Sequence, residues 1–235
     1  MAHFSQTRRP RPRGHSPLFA PALLFLAAAC LAAGYIVYAL WPRWPGAPVS
    51  LEAPSLPIVV AGQMFNIEPA AIRRAVQRKP GTQERIDLAY LWPTLVPAEL
   101  ATKDETQSMT PADPNERIFL TIANGRDEMP APELIKTIYP RYFGPGASAP
   151  AEGLTVRPFR DGTPYQGEDL ILADSAPDDF TARCSRSGVG NTGMCLLQRR
   201  IGDADITVRF PRDWLNDWKK VLYGIDRVLT RLHPN

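Results

Sequence analysis

The chain has 235 residues, 44% hydrophobic and 22% charged, enough for one membrane anchor and one globular domain. Its formal charge of +3 sits in the tail: Arg8, Arg9, Arg11 and Arg13 are four of the 27 Lys and Arg, and the other 23 face 24 Asp and Glu. A domain so close to neutrality lacks the basic footprint of a nucleic-acid binder, so no nucleic acid is expected among its partners.

Residues 1–16 read as a cytoplasmic basic tail. From Leu18 to Leu40, 23 positions carry no charge. As a helix they span about 35 Å, against about 30 Å of hydrocarbon. Trp41 and Trp44 follow, with Tyr35 and Tyr38 just inside, as in an interfacial aromatic belt. Arginines crowd the start and only Arg43 follows closely, so the positive-inside bias puts the N-terminus in the cytoplasm. A signal peptide cleaved after Ala27-Ala28-Ala29, or a lipoprotein modified at Cys30, would end the apolar run early, yet it continues for eleven residues. Arg8-Arg9 suggests a twin-arginine signal, but Pro10-Arg11-Pro12 replaces the apolar residues such a signal needs. The expectation is a retained signal-anchor, a transmembrane helix over 17–41 with the lipid bilayer as its partner.

Residues 42–57, with Pro45, Pro48, Pro54 and Pro57, read as a semi-rigid linker to an exported domain over 58–235. Ile58 to Ala61 is a short strand. A helix is predicted from Glu68-Pro69 to Lys79, stopped by Pro80-Gly81. Arg73, Arg74, Arg78 and Lys79 on it read as a solvated face near the helix end, with a phosphate or lipid-headgroup site as the rival reading. Ile86 to Trp92 and Ile118 to Ile122 are buried-type strands, separated by a polar loop over 99–117. Pro132 opens a helix carrying Leu134, Ile135, Ile138 and Tyr139, limited by Pro140. The loop 144–153 is a candidate sub-domain boundary. Leu154 to Phe159 is an edge strand, because Pro158 cannot donate to a central ladder. Glu168 to Ala173 is a further strand.

Ala204, Ile206, Val208 and Phe210 alternate with polar residues, as in a strand with one face buried. Pro211 then starts a helix whose apolar stripe includes Trp214, Trp218, Leu222, Ile225 and Leu229. That stripe either packs on the sheet or is the contact for a protein partner. Gly224 falls on its polar side.

The stretch Cys184 to Cys195 contains a G-x-G-x-x-G from Gly188 to Gly193. No buried strand precedes it and no helix follows, so a dinucleotide loop is excluded. Zinc needs more ligands than two cysteines, and His3, His15 and His233 all lie in tails. Folding the segment about Val189-Gly190 sets Cys184 opposite Cys195 and Ala182 opposite Leu197, the pairing of a disulfide-stapled hairpin in an oxidising compartment.

Few histidines leave few catalytic routes, and no cofactor or metal is expected. Paired carboxylates remain, at Glu168-Asp169 and Asp178-Asp179, but neighbours in a strand point to opposite faces. The fold expected is α+β: one transmembrane helix, then short, mainly antiparallel strands with two or three helices. The function expected is a single-pass inner-membrane protein presenting a non-catalytic periplasmic interaction or assembly domain to an envelope partner. The alternatives are a periplasmic ligand-sensing or binding domain and a carboxylate-based cell-wall hydrolase.

Overall fold

The computed structural model describes residues 19–40, 49–100, 116–149, 151–175, 177–188 and 192–234. Arg8, Arg9, Arg11, Arg13, Trp41 and Trp44 lie outside these, as do most of the predicted 99–117 loop and the Val189-Gly190 turn. The chain divides into two compact units, Met1–Gly46 and Ala47–Asn235.

In the first unit, helix α1 (Phe19–Leu40) contains an apolar span, Pro21–Ala39, long enough to cross a membrane. The second unit is α+β. Strands β1 (Leu56–Val60), β2 (Gln63–Ile67) and β3 (Gly81–Thr82) form a small sheet ordered β2-β1-β3. Strands β4 (Arg85–Leu91), β5 (Arg117–Asn124), β6 (Leu154–Pro158), β7 (Glu168–Ala173), β8 (Thr181–Ser185), β9 (Met194–Ile201) and β10 (Ala204–Pro211) form a seven-stranded sheet. Its order is β4-β5-β10-β9-β8-β7-β6, antiparallel throughout. Strand β6 lies at the edge, as Pro158 requires. Strands on both sides of the 144–153 loop belong to this one sheet. A short 3-10 stretch, Arg212–Asp217, leads from β10 into helix α2 (Trp218–Leu232).

Strand β2 was not foreseen. Ala61 (φ 50°) and Gly62 (φ 79°) form a two-residue turn with both φ positive, which matches the twist of a hairpin and returns the chain beside β1. The alternating burial of Phe65 and Ile67 was its available signal.

The helix predicted from Glu68 to Lys79 does not form. Two 3-10 turns stand there, Pro69–Ala71 and Ala75–Gln77. Proline does open the first, but the edge of β4 then captures the backbone. Ile72 bridges Leu88, and Arg73 N–H donates to the Asp87 carbonyl at 3.0 Å. The Gln77 amide accepts from Asp87 N–H (3.1 Å) and donates to the Arg85 carbonyl (3.0 Å). These bonds satisfy groups an edge strand would leave open, and outweigh a weak helical preference. The basic residues are tied in as well. Arg78 donates to the Ile72 carbonyl and pairs with Glu99, Arg74 lies 3.6 Å from Asp87, and Arg73 lies over Phe119.

The segment 131–142 is helical but irregular: one α-turn (Ala131–Glu133), a π-turn (Leu134–Ile138) and a 3-10 turn (Tyr139–Tyr142). Pro140 has no N–H to extend the ladder, and Tyr139 N–H reaches back to the Leu134 carbonyl.

The main core lies on one face of the large sheet. Ile86, Leu88, Leu120, Ile122, Ile206, Val208 and Phe210 meet Val221, Ile225 and Val228 of α2 and Ile58, Val60, Phe65 and Ile67 of the small sheet. A smaller cluster of Tyr139, Phe159 and Leu170 lies on the other face, beneath 131–142.

Gly224 is corrected. It is buried rather than on the polar side: a Cβ there would stand 2.6 Å from Trp92 Cζ3. Glycine lets α2 approach the Trp92 ring, which stacks on Trp214 at 5.0 Å.

Candidate functional site

Strand alternation divides the large sheet into a packed face and a wet face. On the wet face the register lines up Asp87, Thr121, Thr207 and Gln198 from β4 across to β9. The adjacent row reads Phe119, Arg209, Leu196, Arg183 and Leu170. Segment 131–142 covers part of this face and leaves a groove. One chamber of about 190 Å³ is lined by Ile135, Tyr139, Arg183, Gln198, Thr207 and Arg209 among others. A neighbouring chamber of about 250 Å³ extends toward Met129, Pro177, Asp178, Arg200 and Asp205. Ala131, Ile135, Thr181 and Gln198 border both, so the two form one groove.

The charges around the groove are mostly answered. Arg200 grips Asp205 through two bonds, at 2.5 and 2.7 Å, and donates to the Gly125 and Glu128 carbonyls. Arg183 pairs with Glu168 at 2.7 Å, donates to Tyr139 Oη at 3.4 Å and lies over the Tyr165 ring. Burial raises the Tyr139 hydroxyl pKa, with Arg183 opposing. Asp87, buried at the end of the polar row, accepts from Thr121 Oγ1 (3.0 Å) and from Arg85 (2.8 and 3.0 Å). Burial alone would raise its carboxyl, but the bonds from Arg85 and Thr121 and the charges of Arg85 and Arg74 hold it below its ordinary value.

The residues singled out in the sequence fall elsewhere. Cys184 and Cys195 are directly paired, disulfide-bonded and fully buried on the packed face, with Ala182 opposite Leu197 as the pairing predicts. Glu168 and Asp169 do point to opposite faces. Glu168 meets Arg183, whereas Asp169 is buried on the packed side between Arg186 (2.9 Å) and Arg212 (2.6 Å). Asp178 and Asp179 are exposed in a turn. With Arg199, Leu222 and Asp226 they line a shallow cleft, in which burial raises the Asp226 carboxyl, Arg199 opposes and Asp179 adds to the rise. Among the described residues, no group of three or more His, Cys, Asp or Glu is placed to hold a metal ion.

The stripe on α2 serves the chain's own core. Trp218 and Ile225 are buried, Trp218 Nε1 donating to the Glu152 carbonyl at 3.1 Å. Trp214 is half-buried between Trp92 and Phe210. Leu222 and Leu229, also half-buried, are what that stripe leaves for an outside contact. The groove was missed because it joins residues distant in sequence; the polar members of the β10 alternation were its only trace.

Fold and site together define an α+β domain, preceded in the sequence by an apolar helix, whose large sheet is packed on one face and grooved on the other. No protein-family model matches the sequence, and no curated protein matches it. Among solved structures the chain is similar in fold to Smlt3025, an immunity protein of the Stenotrophomonas maltophilia type IV secretion system, at 14% identity and a TM-score of 0.52, over 76% of this chain and 92% of that one. The iron-regulated outer membrane lipoprotein FrpD of Neisseria meningitidis aligns at 9% identity and a TM-score of 0.42, over 77% of this chain and 94% of that one.

Proposed function

We propose that this is a single-pass inner-membrane protein with residues 1–16 in the cytoplasm, 17–41 across the bilayer, 42–57 as a tether and 58–235 in the periplasm. The domain binds another protein and catalyses no reaction. The observation that carries this reading is the sheet's wet face: its acids are tied to guanidiniums as structural pairs, while a long mixed groove stays open beside them. The buried disulfide supports export, since such bonds persist in oxidising compartments. The membrane-length apolar helix and the basic tail before it support a retained anchor in the orientation stated.

The test is cross-linking of the tagged full-length protein in cells, followed by detergent purification and mass spectrometry. A stoichiometric protein partner is expected. Recovery of the protein alone would overturn the reading.

A second reading is favoured by the likeness in fold to Smlt3025: that this domain is itself an immunity protein, its partner then being a secreted protein. Deleting the gene should in that case sensitise cells to siblings that keep it. Unchanged survival in co-culture would remove this reading and leave the first standing.

A further inference from the structure

The groove holds an unanswered charge. Arg209 projects from β10, an interior strand of the large sheet, and lines the smaller chamber. It is half-buried, and its Nη1 reaches Thr121 Oγ1 only through a long bond, 3.5 Å. Among the described residues no carboxylate lies within ion-pair distance of it. Of the nearby guanidiniums, Arg85, Arg183 and Arg200 each hold an acid, and Arg199 is held by the Asp179 carbonyl. Around Arg209 the chamber offers Thr207, Gln198 and the Tyr139 hydroxyl as polar groups, and Ile135, Leu170 and Leu196 as apolar walls. A guanidinium shielded in this way from bulk water strengthens its attraction for an anion, and its planar fork matches a carboxylate.

We infer that the groove takes an extended segment of a partner protein, with one Asp or Glu side chain paired to Arg209. This deepens the protein-binding reading and rests on it. A chamber of about 190 Å³ suits one acidic side chain. Its continuation into about 250 Å³ more gives the rest of the segment a mixed trough, with Met129, Pro130, Pro132, Ile135 and Pro177 as its apolar part. The occupant is therefore a chain with an acid next to apolar residues.

The test places a photo-reactive amino acid at Gln198 in the groove, and separately at exposed Tyr223 on α2, in the full-length protein in its own cells. Cross-linked peptides are then mapped. The expected result is an adduct from position 198 to a peptide containing Asp or Glu. Its yield should fall about tenfold or more in Arg209→Gln, as for the loss of one partner from a desolvated pair. Combining Arg209→Glu with acid→Lys in the mapped peptide should restore it. If Arg209→Gln lowers the melting temperature, Arg209→Lys, which keeps the charge and loses the fork, should show a reduced yield at unchanged stability. An adduct from 198 with equal yield in both variants would overturn the inference and leave the protein-binding reading intact. So would adducts from 223 alone. No adduct from either position would overturn both.

Discussion

The two faces of the seven-stranded sheet obey different rules. The packed face is aliphatic and aromatic across its centre, and a buried acid on it, Asp169, is held by Arg186 and Arg212. Helix α2 and the small sheet close it. The wet face sets Thr, Gln, Arg and Asp in cross-strand rows, with Phe119, Leu196 and Leu170 among them, and is covered only in part by the irregular segment 131–142. Most of the apolar burial that holds the domain together is thus on one side, with the Tyr139, Phe159 and Leu170 cluster on the other. The other side keeps polar groups and space, at little expense in stability, and is the side suited to recognition.

Mutations can break or sharpen that contrast. The largest effect is expected on the packed face. Phe210→Ala, at a fully buried position facing Trp214, should destabilise by about 3–5 kcal/mol in chemical denaturation. The disulfide comes next. Cys184→Ser with Cys195→Ser should lose about 2–3 kcal/mol through restored freedom of the unfolded chain. Maleimide added to denatured, unreduced protein should label Cys30 and neither of the other two.

Asp87 tests whether the wet face contributes anything to stability. Asp87→Asn should destabilise by about 1–3 kcal/mol at neutral pH, because it breaks a buried, charge-assisted cluster. The native carboxyl has a pKa below its ordinary 3.8, so its contribution is complete above that pH and is lost as pH falls through the lower folded value. The gap between wild type and variant should therefore narrow in acid; a gap that is constant from pH 7 to pH 3 would contradict this.

Gly224→Ala separates propensity from packing. A helix interior gains about 1 kcal/mol from that change, but here the new methyl meets Trp92, and overpacking of this kind costs about 1–3 kcal/mol. Net destabilisation is expected from melting curves. The smallest effect belongs to the groove: Gln198→Ala should change stability by less than about 0.5 kcal/mol.

Much of the packed face was legible in the residues. The alternation from Ala204 to Phe210 announced both the strand and its buried side, Glu168 to Ala173 matches β7 end to end, and the short span between the cysteines set their pairing. Each is a local pattern with a fixed period, or a pairing across one turn, and local patterns survive without knowledge of the rest of the fold. The errors share the opposite cause. Residues 68–79 carry helical signals, but Leu88 and Asp87 on β4 hold them in another shape. Gly224 looked like a defect on a polar side until Trp92, far away in sequence, proved to lie against it.

Composition and periodicity alone thus sufficed for the apolar helix, the main strands, the stapled pair and the stripe of α2. The groove, the capture of 68–79 by a strand edge and the half-burial of Arg209 in that groove came from the packing. They depend on contacts between segments tens of residues apart, and no window of neighbouring residues contains that information.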